Sequence, residues 1–296
     1  MNKPLVSVLM TAYNREKYIA EAIESVLASS YTDFELIIVD DGSRDSTVTI
    51  AREYAQKDDR IKLYVNEKNL QDYPNRNKAA SYATGKYIKY LDSDDTIYPW
   101  GLESMVYCME KCPEAGFGLM AINIAQDSPF PIQISGEAAY KAFFFNCALL
   151  TMGPSGSIIR RDVFEEAGGF SGKPYIGDLE IWLVLCKKYN VVCMPLDLIW
   201  WRQHEGQQVL EGFNNSYYQN NTFILYKRML TDPDCPMSKE DAQTALRNQY
   251  NIRSRKVIID VANLKLIKAF QFYRNNKLKP ADIFKSIKKN KVIPFK

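Results

Sequence analysis

The sequence lacks the long apolar runs that mark membrane-spanning and secreted proteins. None of its apolar stretches reaches the roughly 18 residues that a spanning helix needs. The amino-terminal segment MNKPLVSVLMTAYNRE turns polar after one short apolar run, so no secretory signal peptide is predicted. A cytoplasmic protein is therefore expected.

The chain is also poor in histidine, in zinc-type cysteine pairs and in net charge. Its single histidine is His204, and its six cysteines lack the spacing of zinc ligands, so reduced and buried thiols are expected. The 38 basic and 35 acidic residues leave a formal charge of only +3, whereas nucleic-acid-binding domains concentrate basic residues on one face. No nucleic-acid partner is expected.

What is present is a regular alternation of short apolar runs and helical patterns over the first hundred residues. This alternation predicts an α/β fold with a doubly wound, mostly parallel sheet that is buried on both faces. Residues 100 to about 202 are expected to complete the sheet, with VVCMP and LIWWR as a strand pair. The domain predicted for residues 1–205 is followed by a C-terminal helical extension over residues 206–296.

Ligands of doubly wound sheets bind at the carboxyl ends of the strands. The residues at those predicted ends are Thr11, Ala12 and Tyr13 after the first run, Asp40 and Asp41 after the second, and Asp92, Ser93, Asp94 and Asp95 after the fourth. The site is therefore expected along this edge of the sheet.

Three aspartates fall within four positions at the end of the fourth run, in the segment YLDSDDT. Like charges so close together repel, and hard carboxylate oxygens suit Mn²⁺ or Mg²⁺, so a divalent-cation site is predicted. The alternative is a solvated turn or a helix cap. After the second run, the carboxylate of Asp40 or Asp41 would accept the imide N–H of a uracil ring, while Gly42 and Ser43 suit a plain turn.

Four segments occur in a specific order between about Leu5 and Gln207: VSVLMTAYNREKYIAEAIESVLASSYTDFELIIVDDGSRDST, NRNKAASYATGKYIKYLDSDD, GDLEIWLVL and WRQHEGQQ. Together they resemble family 2 of the inverting, metal-dependent, nucleotide-sugar glycosyltransferases, which have the GT-A fold. The resemblance implies a nucleotide-sugar donor and a Mn²⁺ or Mg²⁺ cofactor. A nucleoside diphosphate leaving group gathers negative charge, and a bound cation stabilises that charge.

The resemblance also implies roles for individual residues on the donor side. Thr11, Ala12 and Tyr13 would line the nucleobase, and Asp40 or Asp41 would read uracil. Arg76 in NRN would contact the base or the diphosphate. In the D-x-D pattern Asp92 would meet the ribose, with Ser93 beside it, and Asp94 would bind the metal. His204 in WRQHEG would complete the metal shell, although a histidine in a loop is by itself more typical of a surface residue.

The acceptor hydroxyl needs a base, and the family pattern for it is Glu-Asp followed by a helix. This sequence has Gly177 in place of the glutamate, so Asp178 is the candidate base. The alternative is an ordinary helix cap. Nearby aromatic residues would stack on sugar faces, or, for Trp182, belong to the core; they are Tyr175, Trp182, Trp200 and Trp201.

Together with these motifs, the resemblance implies an inverting transferase that moves a sugar from a UDP-sugar to a hydroxyl of a glycan or a polyprenyl-linked glycan in bacterial surface polysaccharide synthesis. One alternative is a haloacid-dehalogenase-type phosphatase, since YLDSDDT also satisfies D-x-D-x-T. Another is a catalytically inactive glycan-binding relative, which the departure at Gly177 leaves open. A sugar-nucleotide pyrophosphorylase would need a Gly-rich loop that the first segment lacks.

The last 22 residues are strongly basic. Residues 275–296 contain seven lysines and one aspartate, interleaved with apolar residues. This composition predicts contact with an anionic membrane surface, which would place the protein peripherally at the inner face of the plasma membrane. The alternative is a solvated helix that packs on its own domain.

Overall fold

A computed structural model of the protein describes residues 5–121, 129–146, 148–204, 216–275 and 278–286. The chain divides into two compact units. The first comprises residues 1–139 and 148–207, and the second comprises residues 140–147 and 208–296. The domain boundary predicted near residue 206 lies outside the described residues.

The strands of the described residues belong to the first unit. In chain order they are β1 (Val6–Ala12), β2 (Phe34–Asp40), β3 (Ile61–Val65), β4 (Tyr87–Tyr90), β5 (Thr96–Ile97), β6 (Ala115–Met120), β7 (Ile132–Ile134), β8 (Ser157–Arg160), β9 (Asn190–Met194) and β10 (Ile199–Trp200). Eight of them form one sheet in the order β3-β2-β1-β4-β8-β6-β9-β7, and β5 and β10 form a small second sheet.

Over the first hundred residues the α-helices alternate with the strands as predicted, and further α-helices follow. They are α1 (Ile19–Leu27), α2 (Thr47–Ala55), α3 (Asp72–Ser81), α4 (Gly101–Lys111), α5 (Gly136–Lys141), α6 (Arg161–Glu166), α7 (Gly177–Leu185), α8 (Ser216–Thr231), α9 (Lys239–Ala262), α10 (Leu266–Asn275) and α11 (Pro280–Lys285). Pro233 and Pro236 lie between α8 and α9, where no helix can continue through them.

Apolar patterning explains why these elements pack as they do. Every residue of β2 is buried, as expected of a strand with helices on both faces of its sheet. In α1 the buried positions recur at the spacing of one helical face and pack into the main core; they are Ile19, Ala22, Ile23 and Val26.

Strand directions confirm the predicted fold class. The four strands β3, β2, β1 and β4 are parallel. On the other side of β4, strand β8 is antiparallel to both neighbours, β6 and β9 are parallel, and β7 is antiparallel. The chain leaves β1 in one direction through β2 and β3, then returns to β4 on the other side. This reversal marks a topological switch point, and ligands of such sheets bind there.

The prediction that VVCMP and LIWWR pair with each other is wrong. Strand β9 lies in the large sheet between β6 and β7, whereas β10 pairs antiparallel with β5. Asp197, with φ of 63°, turns the chain between them. Because β5 directly follows the aspartate cluster, its pairing with β10 carries the segment after Trp200 to that cluster.

Two expectations about buried side chains can also be compared with the structure. Trp182 is fully buried, its ring stacks on Phe117 with centroids 5.5 Å apart, and its Nε1 donates to the carbonyl of Met152 at 2.8 Å. The core alternative is therefore confirmed for Trp182, and sugar stacking by this residue is wrong. Reduced, buried thiols are confirmed at Cys108, Cys112, Cys186 and Cys193, none of which is in a disulfide; Cys235 is half-buried and Cys147 lies outside the described residues.

Helices α8 to α11 belong to the second unit. Ser238 caps α9 by accepting from the backbone N–H of Asp241 at 3.1 Å. Across the described part of the chain, no helix combines the length and the apolarity that crossing a membrane requires. Most of the basic segment predicted to contact a membrane, including residues 287–296, lies outside the described residues.

Candidate active site

The aspartates that follow β4 form a compact acidic cluster. Ligand oxygens of Asp92, Asp94 and Asp95 all lie within 4.8 Å of one another. Asp95 is fully buried, and its Oδ2 has no hydrogen-bond partner among the described residues. A buried carboxylate oxygen without a donor is costly, and a divalent cation would satisfy it. The cluster therefore fits Mn²⁺ or Mg²⁺.

The surroundings of Asp95 disfavour its ionised form. Burial, together with the neighbouring carboxylates of Asp92 and Asp94, raises the pKa of Asp95 to about 7. Its Oδ1 accepts the backbone N–H of Arg202 at 3.2 Å. A bound cation would favour the charged form of all three carboxylates.

Asp94 has two cationic or polar partners from distant parts of the chain. Its Oδ2 lies 3.1 Å from Nε of Arg15 and 3.0 Å from Nε2 of His204. The imidazole of His204 stacks on Tyr18, with ring centroids 4.7 Å apart. The structure thus brings together Asp94 and His204, and their role as metal ligands stays a prediction.

Two arginines of the site were not singled out from the sequence. Arg15 pairs with Asp94, and its backbone N–H donates to Oγ1 of Thr47 at 2.7 Å. Arg202 donates from Nε to the carbonyl of Asp94 at 2.9 Å and places its guanidinium 4.6 Å from the ring centroid of Trp200. Arg15 lies in the segment YNRE and Arg202 in the segment WRQHEG. Their place in these family motifs is the sequence signal that could have identified them.

A buried lysine lies next to the acidic cluster and was also missed. Lys89 of β4 is fully buried, and its ammonium donates to the carbonyls of Tyr90 and Ser155. Burial lowers the pKa of Lys89 to about 7, although Asp92 and Asp95 act against this shift. A lysine in a strand that is buried on both faces carries no periodic signal in the sequence.

Arg76 of α3 is buried and connects two acids. Its Nε lies 2.7 Å from Oδ1 of Asp72, and its Nη2 lies 2.7 Å from Oδ1 of Asp92. Burial acts to lower the pKa of Arg76, but these two carboxylates hold it well above its ordinary value. The guanidinium therefore stays charged and fixes the carboxylate of Asp92.

The predicted donor residues after β1 lie at the expected edge. Thr11 is half-buried, Ala12 is buried, and the ring of Tyr13 is 41% exposed. Ser93, between the two aspartates of the D-x-D pattern, is buried. Of these four residues, Tyr13 has the most surface available for contact with a base.

Both acids after β2 are buried and bond their own loops. Oδ1 of Asp40 accepts the backbone N–H groups of Gly42 and Ser43 at 3.0 and 2.8 Å. Gly42 has a φ of 79°, which the tight turn requires. Asp41 accepts from Nδ2 of Asn66 and from the backbone N–H groups of Leu70 and Gln71. These carboxylates thus shape the loops beside the site.

Asp178 is half-buried near the start of α7. Its Oδ1 accepts the hydroxyl of Tyr73 at 3.2 Å and the backbone N–H of Leu179 at 2.8 Å. Burial raises the pKa of Asp178 to about 6, against the two hydrogen bonds, which lower it. Glu180 is buried and pairs with Lys173 at 2.8 Å, so it serves the local structure.

The remaining aromatic candidates differ in exposure. Trp200 and Trp201 are 43% and 53% exposed, and Tyr175 is half-buried with a φ of 64°. The two tryptophans adjoin Arg202 and so lie near the acidic cluster. Their surfaces are available to a ligand, unlike that of Trp182.

Comparison with known proteins extends this picture. A family model described as "Glycosyl transferase family 2" matches residues 7–168. TuaG of Bacillus subtilis (strain 168), whose name assigns it provisionally to teichuronic acid biosynthesis, is 42% identical over 196 residues, which cover 63% of this chain and 73% of TuaG. Two other relatives, EpsE of Bacillus subtilis (strain 168) and MJ1057 of Methanocaldococcus jannaschii, are each 47% identical to part of this chain. In each case the match spans only 39% of the relative's length.

Two solved structures show the same fold. S. aureus TarS 1–349 in complex with UDP-GlcNAc has a TM-score of 0.65 at 18% identity, covering 83% of this chain and 71% of TarS. The mannosyltransferase PcManGT from Pyrobaculum calidifontis, in complex with GDP-Man and Mn²⁺, has a TM-score of 0.62 at 15% identity, covering 97% of this chain and 87% of the other.

These matches decide between the enzyme classes that the sequence left open. The phosphatase alternative is wrong, because the family match covers more than half of the chain and includes both the first strand and the D-x-D segment. The acidic cluster also follows the fourth strand of the sheet rather than the first. The chain belongs to glycosyl transferase family 2, and its fold is the GT-A fold.

Proposed function

We propose that this protein transfers a sugar from a UDP-sugar, with inversion, to a hydroxyl of a glycan or a polyprenyl-linked glycan in surface polysaccharide synthesis. The observation that carries the proposal is the acidic cluster at the topological switch point, with Asp178 tied to it through α3. Tyr73 of α3 bonds Asp178, and Arg76 of α3 pairs with Asp92. The UDP-GlcNAc of TarS and the name of TuaG support the donor and the pathway class.

Mn²⁺ or Mg²⁺ would be held by Asp94 and His204, beside the carboxylates of Asp92 and Asp95. When bound, it neutralises negative charge on the diphosphate leaving group. The unpartnered buried oxygen of Asp95 and the Mn²⁺ of PcManGT support this assignment. Arg76 keeps the carboxylate of Asp92 oriented toward the donor ribose.

The nucleobase lies against Thr11, Ala12 and Tyr13, next to Ser93. Asp40 or Asp41 accepts the imide N–H of uracil. Each carboxylate oxygen has two acceptor positions, so the loop contacts of these acids leave capacity for one more donor. Guanine also presents N–H donors to a carboxylate, so the choice of uridine rests on the UDP-GlcNAc of TarS and is tested below against GDP.

Asp178 is the base that takes the proton from the acceptor hydroxyl. In a single displacement with inversion, the hydroxyl attacks from the face of the sugar opposite the diphosphate, so the base must be separate from the cation cluster. The pKa of Asp178, raised to about 6 by burial, leaves the carboxylate mostly ionised at neutral pH and more basic than an exposed aspartate. A carboxylate in this role is worth about 10²- to 10⁴-fold in rate.

We also propose a peripheral position at the inner face of the plasma membrane, where a polyprenyl-linked acceptor would be found. The basic composition of residues 275–296 supports this location.

A thermal-shift panel of nucleotides and nucleotide sugars tests the donor assignment. UDP and one or more UDP-sugars are expected to raise the Tm when Mn²⁺ is present, because ligand at 100 times its Kd stabilises by about 2.7 kcal/mol. GDP serves as the matched control and is expected to give a smaller shift. A larger shift with GDP would contradict the uridine assignment, and a shift that survives EDTA would contradict the cation.

A further inference from the structure

Gly177 stands where the family resemblance predicts a glutamate, and the structure shows what occupies the space. A Cβ atom at position 177 would lie 2.8 Å from the ring of Tyr73, closer than real Cβ atoms approach other groups. The ring has little room to move, because it is buried and packs on Phe170 with centroids 5.2 Å apart. Tyr73 and a side chain at 177 therefore compete for one volume.

The same tyrosine reaches the proposed base. Its hydroxyl donates to Oδ1 of Asp178 at 3.2 Å and accepts the backbone N–H of Asp178 at 3.3 Å. Asp72 and Arg76, on the same helix as Tyr73, are the charged groups that act on Asp178, and they act in opposite directions. The hydroxyl of Tyr73 is therefore the side-chain donor that orients this carboxylate.

We propose that Tyr73 is a positioning residue for Asp178 and that glycine at 177 is what admits it. This inference rests on the proposed role of Asp178 as the base. The hydroxyl fixes one carboxylate oxygen through a hydrogen bond, which leaves the other oxygen to accept the proton of the acceptor. A hydrogen bond to the ionised form also favours that form.

Tyr73→Phe tests the hydroxyl with the sugar nucleotide that gives the largest thermal shift. The readout is the release of UDP when the sugar passes to water or to an acceptor. Its kcat is expected to fall about tenfold, with the Kd of the donor unchanged. The acid limb of the rate profile is expected to move up by about one pH unit, since the lost bond no longer favours the carboxylate. The matched control is Tyr87→Phe, whose buried hydroxyl donates to a carboxylate of Glu110 at 2.8 Å near the other end of β4.

An unchanged acid limb in Tyr73→Phe would overturn the inference. The Asp178→Asn variant distinguishes failure of this inference from failure of the proposed function. If Asp178→Asn is inactive while Tyr73→Phe behaves as wild type, only the positioning role is wrong. If Asp178→Asn is active, the base assignment itself is wrong.

Gly177→Ala tests the shared volume. The substitution is expected to lower Tm by about 4 °C in the wild type and by much less in the Tyr73→Ala background, where the ring is absent. Gly153→Ala is the matched control, because a Cβ there meets nothing within 4 Å and the φ of −69° suits alanine. Equal losses in both backgrounds would show that Tyr73 and position 177 do not compete.

A second, independent observation concerns the turn between α9 and α10, here called the α9–α10 tip (residues 258–270). Six of its apolar side chains are strongly exposed: Ile259 57%, Val261 46%, Leu264 84%, Leu266 58%, Ile267 77% and Phe270 60%. Exposed apolar residues in so dense a group mark an interaction surface.

Leu264 strengthens this reading of the tip. Its φ is 57°, in the left-handed region that glycine or asparagine usually occupies after a helix. The turn closes with the N–H of Lys265 donating to the carbonyl of Asp260 at 2.8 Å. A leucine here costs backbone strain and exposes an apolar side chain, and both costs are offset if the side chain enters an apolar phase.

The charged residues around the α9–α10 tip indicate which apolar environment it enters. Lys256, Lys265, Lys268 and Arg274 flank the apolar side chains, and Asp260, the one acid between residues 256 and 274, is buried. Two copies of such a surface would repel each other. An apolar tip with a basic rim instead fits the headgroup region of an anionic bilayer, where each basic residue contributes about 1 kcal/mol. We infer that the α9–α10 tip docks on an anionic lipid surface.

Cosedimentation of the full chain with vesicles tests the docking surface. Wild type is expected to sediment with vesicles of phosphatidylcholine and 30% phosphatidylglycerol. The double variant Leu264→Asn and Ile267→Gln is expected to lose at least tenfold in vesicle affinity without a fall in Tm, since asparagine suits the turn. Ile224→Gln, at a position of α8 that is 62% exposed, is the control and should sediment like wild type.

Two outcomes would overturn the inference. Equal sedimentation of wild type and the double variant would mean that the tip does not dock. A wild-type dimer in solution that the double variant converts to a monomer would mean that the tip binds a second copy instead.

Discussion

Asp94→Asn is expected to lower the affinity of the protein for UDP in the presence of Mn²⁺ by about 100-fold or more. An amide cannot neutralise a divalent cation, and Asp94 lies at the centre of the acidic cluster, in contact with both Arg15 and His204. Calorimetric titration with UDP, with and without EDTA, measures the effect. EDTA should reduce wild-type affinity to the level of the variant.

The control for this variant is Asp58→Asn. Asp58 also pairs with an arginine, through Oδ2 at 2.7 Å from Arg60, but it lies before β3 and away from the cluster. It should titrate like wild type. His204→Ala should show a smaller loss than Asp94→Asn, because three carboxylates remain. Equal wild-type affinity with and without chelator would refute the cation site as a whole.

The sequence predicted the acidic cluster because its three acids fall within four positions and follow a buried strand, so strand direction alone brings them to the sheet edge. The proximity of His204 to Asp94 could not be predicted in this way, because 110 positions separate the two residues. Periodicity carries no information on that contact. Only the resemblance indicated it, and the pairing of β10 with β5 is the physical cause.

Several residues of the site could not be predicted from sequence periodicity, for a common reason. Arg15, Arg202 and Tyr73 lie in loops or in the first turn of a helix, where no repeating pattern tells which way a side chain points. Lys89 lies inside a strand, where a charge is not expected without knowledge of the carbonyls that receive it. The same limit explains why Trp182 remained ambiguous until its packing on Phe117 was seen.

The structure gives a physical explanation for glycine at position 177, where the family pattern has a glutamate. In the sequence alone, the missing glutamate weakens the case for catalysis and leaves an inactive relative open. In the structure, the ring of Tyr73 fills the space beside Gly177 and its hydroxyl bonds Asp178. Tyr73 thus supports the carboxylate of Asp178 without a glutamate at position 177, and the Tyr73 variants test the proposed role of this contact.

Asp178→Asn is expected to lower the rate of sugar transfer by about 10²-fold or more and to leave UDP and Mn²⁺ binding unchanged. An asparagine keeps the size of the side chain, and its oxygen still accepts from Tyr73 and from the N–H of Leu179. It cannot accept a proton. Because burial disfavours the charged carboxylate, the neutral amide is not expected to lower Tm at pH 7.

The pH profile of the wild type gives a second measurement of the same group. As pH falls through the pKa of Asp178, about 6, the carboxylate is protonated and the base is lost. The value of kcat/KM should therefore rise between pH 5 and pH 7 and then level off, and the residual activity of Asp178→Asn should lack this limb.

Asp162→Asn provides a matched control for both measurements. Asp162 follows the first residue of α6 as Asp178 follows the first residue of α7, and its Oδ1 accepts the N–H of Val163 at 2.9 Å, as that of Asp178 accepts from Leu179 at 2.8 Å. If the carboxylate of Asp178 only supports its helix, the two variants should behave alike and retain turnover. If it is the base, Asp162→Asn keeps wild-type kcat while Asp178→Asn loses it with donor affinity intact, because only one of these two carboxylates is linked through Tyr73 and α3 to the donor site.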